Sequence, residues 1–145
     1  MKQIDEQEAR IAKVISDDEN LSFKDSVEKF YHHLNKSLQL PFEVTGIEDF
    51  QWEEYYVIGL GDQEKYKKLC KNQPSFRDTF DLVAIKANVH SKWMMFSGED
   101  LAGQVQRKSD GKEFYLGVAE IEAVDKKSKN YQLLDDYVVW FVNSQ

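Results

Sequence analysis

Between Ser37 and Glu64 the chain carries seven carboxylates, Glu43, Glu48, Asp49, Glu53, Glu54, Asp62 and Glu64, and neither lysine nor arginine. Over all 145 residues acids outnumber Lys and Arg by 26 to 19, a net charge of −7. This one stretch therefore holds the entire excess. Two carboxylates about 6 Å apart repel by about 0.7 kcal/mol in water, and by more beside a low-dielectric surface. A hard divalent cation relieves such repulsion, and Ca²⁺ in particular gathers about six to eight oxygens, carboxylates prominent among them. The alternative is a solvated acidic surface that keeps the protein dispersed. An EF-hand is excluded, because Asp17-Asp18-Glu19-Asn20 lacks the alternating ligands, the central glycine and the closing glutamate of that loop.

Other chemistry is harder to find. There is no Gly-x-Gly-x-x-Gly, P-loop or Gly-x-Ser-x-Gly, and Gly59-Leu60-Gly61 alone suits a strand-end turn. Cys70 sits among lysines without an evident partner, which suits an incidental thiol better than a nucleophile. His32 and His33 are neighbours on a predicted helix and diverge by about 100°, so they cannot share one ion. His90 stands alone at a turn. Lys65, Lys67, Lys68 and Lys71, and again Lys126, Lys127 and Lys129, form basic clusters that read as a solvated helix face and a solvated loop. No catalytic reaction is expected.

The elements that must position these groups follow from periodicity. Ile4, Ile11, Val14 and Ile15 suggest a first helix, ended by Asp17 to Asn20. Ser22 and Asp25 resemble a capping box before Phe23, Val27, Phe30, Tyr31, Leu34 and Leu38, one continuous helical face. Pro41 stops that helix. From Phe42 the period becomes two, and the Tyr-, Val- and Ile-rich run Glu53 to Leu60 reads as another strand. Asp62 to Asn72 reads as a helix with acids first and lysines after, matching the macrodipole. Val83, Ile85, Ala87 and Val89 predict a long strand, and Trp93 to Phe96 a further one. Val105 to Val118 predicts a hairpin about Ser109-Asp110-Gly111-Lys112, and Tyr131 to Phe141 a closing helix. The predicted class is α+β: N-terminal helices, a small curved antiparallel sheet of the SH3-like-barrel kind, and a C-terminal helix.

Length fits a single domain over 1–145. One cysteine gives no internal disulfide and suits a reducing cytoplasm. The polar, acid-bearing start does not read as a secretory signal, and no apolar run approaches the ~20 residues that span a bilayer. The acidic balance speaks against nucleic acid and anionic membrane as partners.

The hairpin Ser109-Asp110-Gly111-Lys112-Glu113-Phe114, then Ala119-Glu120-Ile121-Glu122-Ala123-Val124-Asp125, then Tyr131-Gln132-Leu133-Leu134-Asp135-Asp136-Tyr137 with Trp140-Phe141, resembles a bacterial family of non-EF-hand calcium-binding proteins typified by the cyanobacterial CcbP. Leu40-Pro41-Phe42-Glu43 resembles that family's opening strand. The resemblance covers about half the chain, 30–61 and 104–143. It implies a cytoplasmic Ca²⁺ buffer or sensor whose acidic loop falls at Glu48, Asp49, Glu53 and Glu54, with further acids at Asp125, Asp135 and Asp136. Residues 1–21 then read as a helical extension and 62–79 as a Lys-rich insertion that could neutralise the acids. The second expectation is a metal-free interaction module docking a protein partner through Trp52, Tyr55 and Tyr56, aromatics being enriched at interfaces.

Overall fold

The computed structural model describes residues 2–15 and 21–145, with side chains from Glu6 onward in the first helix. Helix α1 spans Lys2–Ile15, so the expected stop at Asp17 to Asn20 lies outside the described residues. Helix α2 (Phe23–Ser37) starts as its sequence predicts: Ser22 Oγ accepts the Asp25 N–H at 3.1 Å, filling one of the four unpaired donors of a helix start. Strand β1 is Phe42–Gly46. A one-turn 3₁₀ helix at Gln51–Glu53 and helix α3 (Glu54–Val57) follow, and then α4 (Gln63–Cys70), capped by Asp62. The remaining elements are β2 (Thr79–Lys86), β3 (Ala102–Arg107), β4 (Glu113–Gly117), a 3₁₀ turn at Val118–Glu120, β5 (Ile121–Ala123) and α5 (Lys129–Asn143).

The five strands form one antiparallel sheet in the order β4-β3-β2-β1-β5. In a flat sheet four spacings would separate β4 from β5 by about 19 Å, whereas the four steps from Gly117 to Ile121 reach at most about 14 Å. The sheet must curl to let this connection close. Yet β4 and β5 do not pair, so the curl stops short of the closed SH3-like barrel expected. The inner face, Val44, Phe80, Leu82, Ile85, Val105, Leu116 and Ile121, is covered by Phe30 and Leu34 of α2 and by Leu134, Tyr137 and Phe141 of α5, all buried in one apolar cluster. The class is α+β with a C-terminal helix, as predicted.

Three local expectations are corrected. Residues 53–60 form helical turns and not a strand: the Glu53 carboxylate reaches back to the Phe50 N–H, and that local bond prevails over the β-preference of Tyr, Val and Ile. Residues 93–96 lie in turns between β2 and β3. Strand β2 begins and ends earlier than expected. A register shift between Leu82 and Ala84 leaves Val83 exposed, and Asn88 in the left-handed region (φ 60°) closes the alternation before Val89. The hairpin forms where predicted, with Gly111 at φ 78°.

Candidate functional site

The acidic segment after β1 hangs from three inward side chains. Phe50 is buried, Trp52 donates its indole N–H to the Pro74 carbonyl at 2.6 Å, and Glu53 has no exposed surface at all. Glu53 Oε1 accepts the N–H groups of Phe50 (3.3 Å) and Phe76 (2.8 Å), while Oε2 accepts the hydroxyls of Tyr66 (2.5 Å) and Ser75 (2.7 Å). Each oxygen holds two donors, so this carboxylate is consumed as an internal anchor tying the turn to α4 and to residues 75 and 76. Burial and the neighbouring Glu53 together push the Tyr66 phenol well above its ordinary range. Glu48 and Glu54 are exposed and Asp49 is half-buried, and among the described residues none of these three side chains is engaged in an ion pair or hydrogen bond.

The other expected acids are already committed. Glu43, facing outward on β1, stands opposite Asp81 of β2, and Lys108 reaches both, at 3.2 and 3.6 Å. Asp125 Oδ1 accepts the Lys127 N–H in the loop before α5. On α5, Gln7 of α1 donates to Asp135 and Asp136, both at 3.0 Å, and Arg10 grips Asp136 with two parallel bonds of 2.8 and 3.0 Å. The cation beside these two acids therefore comes from α1. The lysine-rich helix α4 turns inward on itself instead, Lys67 meeting Glu64 at 3.7 Å. The structure thus leaves Glu48, Asp49 and Glu54 together on one segment and puts Glu43, Asp125 and the α5 pair elsewhere. Among the described residues no group of three or more His, Cys, Asp or Glu side chains is assembled to hold a metal ion.

A second acidic pair escaped the sequence. Asp100 is buried, accepts the Tyr137 hydroxyl at 2.6 Å and the Ala119 N–H at 3.0 Å, and lies across from Glu120. A Cβ on Gly117 would fall 2.5 Å from Asp100 Oδ2 and equally close to Glu120 Oε2, so both oxygens converge over that glycine. Burial, reinforced by the Glu120 charge and opposed by the Tyr137 hydrogen bond, lifts Asp100 to about 7. Burial also raises Glu120. Nothing in residue spacing signals this pair, because Asp100 ends a loop that the sequence read as strand and turn.

No protein-family model matches the chain, nor does any curated protein. Among solved structures, the crystal structure of Anabaena CcbP superposes with a TM-score of 0.59 over 94% of this chain and 89% of its own, at 15% identity. The chain shares the CcbP fold. A structure described as a calcium binding protein in the calcium-binding form superposes equally well, with a TM-score of 0.59, covering 95% of this chain and 90% of its own at 16% identity. The residues whose pattern resembled the CcbP family fall on β1, on the β3–β4 hairpin, on the 3₁₀ turn and β5, and on α5, the sheet and helix that enclose the core. At such identity the likeness to CcbP is one of architecture.

Proposed function

We propose that this chain is a binding protein that takes up Ca²⁺ outside any EF-hand, as a buffer or sensor, through Glu48, Asp49 and Glu54. What carries the reading is the architecture shared with CcbP and with a structure described as calcium-binding. The side-chain chemistry agrees with it in kind: these three residues offer hard oxygens that no neighbouring cation has neutralised, on the stretch that holds the chain's whole net charge. They are not gathered into a ligand set. Uptake of an ion would draw them together, with backbone carbonyls and water completing the roughly six to eight oxygens that Ca²⁺ prefers, while Glu53 holds the segment's base in place.

Calorimetric titration of chelator-stripped protein with Ca²⁺, and with Mg²⁺ as the control, tests this. Saturable heat resistant to Mg²⁺ is expected, together with a rise in thermal stability of about 2.7 kcal/mol at a hundredfold excess over Kd. The double substitution Glu48→Gln, Asp49→Asn should abolish both. Silence up to millimolar Ca²⁺ would defeat the proposal, and undiminished binding by the double variant would defeat the ligand assignment.

A further inference from the structure

We infer that the turn following α3 is a docking point for a basic, amphipathic protein segment. Among the described residues nine large apolar side chains are exposed, and four of them, Tyr55, Val57, Ile58 and Leu60, fall within six residues. Ile58 and Leu60 are 62% and 68% exposed, more than any other large apolar side chain described. Between them Gly59 sits at φ +86°, and a Cβ there would meet nothing within 4 Å, so the turn projects into solvent instead of lining a cleft. Its inner side is fixed: Tyr56 stacks on Tyr66 with centroids 5.4 Å apart, Trp52 packs on Tyr66 at 5.7 Å, and Leu60 N–H closes on the Tyr55 carbonyl at 3.3 Å. A rigid apolar tip of this kind loses little conformational freedom when a partner covers it.

Charge selects the partner. Glu54 opens α3, Glu48 and Asp49 precede it, and Asp62 caps the next helix, all without a lysine or arginine from Ser37 to Glu64. Glu54 adjoins Tyr55 and Asp62 follows Leu60 by two residues, whereas the lysines of α4 begin only at Lys65, with Lys67 paired to Glu64. Lysine or arginine flanking a partner's own apolar residues turns the encounter with these two flanking acids from repulsion into attraction. The same acids oppose a second copy of this chain, which carries −7 itself, and an anionic lipid surface. The sequence had pointed to Trp52, Tyr55 and Tyr56. Trp52 and Tyr56 face inward, and Ile58 and Leu60 take their place.

The test uses the full chain, ¹⁵N-labelled and held in chelator so that calcium plays no part. The probe is a synthetic fourteen-residue amphipathic helix of leucine and lysine, with a peptide of the same leucine pattern and glutamate for lysine as control. Saturable amide shifts centred on residues 54–61 are expected with the lysine peptide alone. Affinity should fall at least tenfold in the Ile58→Ser, Leu60→Ser variant and weaken with added salt. Because both side chains are exposed, that variant should keep the parent's circular dichroism. Failure to bind, equal affinity in the variant, shifts confined to other faces, or equal binding of the glutamate peptide would each overturn the inference. So would binding to phosphatidylserine vesicles through this tip, or a dimer that the variant dissolves.

Discussion

Glu53 and its neighbours Glu48 and Glu54 are chemically alike, yet the fold uses them in opposite ways. Glu53 enters the interior with four donors on its two oxygens, whereas the other two stay in water. Removing one buried acceptor leaves its donors without partners, at about 1–3 kcal/mol for each group left unsatisfied. Glu53→Ala should therefore destabilise the protein by about 3 kcal/mol or more, read from urea unfolding midpoints, while Glu54→Ala should change them by less than about 0.5 kcal/mol. Equal effects would mean that the anchor carries no weight. The excess of acids was legible from counting residues. Their directions were not, because the donors that claim Glu53 come from Tyr66, Ser75 and Phe76, thirteen or more residues downstream. Asp100 was hidden in the same way, its hydroxyl partner lying 37 residues on at Tyr137.

At the scale of elements, the helices were the most readable part. Apolar period signalled α2 and α5, and charge order signalled α4. The structure caps them with Ser22, Asp62 and Ser128, each accepting an N–H from the first turn, and of these the sequence marked only Ser22 as a cap. Strands were readable where a turn residue fixed the register, as Gly111 does. They were misread where composition alone suggested them, at 53–60 and 93–96. Helix α1 poses a different question: its described tether to α5 is polar, through Gln7 and Arg10, added to packing by Ile11, Val14 and Ile15. The Arg10 side chain is about one-third exposed, so its two bonds contribute only about 1 kcal/mol after screening. Arg10→Ala should accordingly speed amide exchange in α1 several-fold and leave β2 and β3 unchanged. Uniform acceleration across the sheet would show that α1 is integral to the core.

Over the whole molecule, the pH dependence of stability separates two carboxyls moved in opposite directions. Asp100 rises from 3.8 to about 7, chiefly by burial. Asp110 drops to about 2, chiefly through its hydrogen bond from Arg107. The folded state keeps a proton on Asp100 that the unfolded chain releases near pH 4, so this contribution is full below that pH and is lost as pH rises toward 7. At about 1.36 kcal/mol per unit it amounts to at most about 4 kcal/mol. For Asp110 the stabilisation is present above pH 4 and disappears as pH falls toward 2. These two groups alone would place maximal stability near pH 4. In Asp100→Asn most of the decline between pH 4 and 7 should vanish from urea midpoints, Glu120 supplying the remainder, and an unaltered slope would contradict the assignment.

Arg107 gives the molecule a property that no single element has. Its guanidinium, only 3% exposed, donates to the carbonyls of Cys70, Lys71 and Gln73 at the end of α4, and to Asp78 and Asp110 on either side of the sheet's hairpin end. Detaching helix α4 costs Arg107 three carbonyl acceptors at once, and opening the β3–β4 hairpin takes that cap away from the helix end. Segments some 35 residues apart in sequence are thereby joined into one cooperative unit, and the acidic segment between β1 and α4 is a loop closed at both ends. Whatever settles on that loop meets a tethered span, one whose excursions are limited by a knot of charge on the far side of α4.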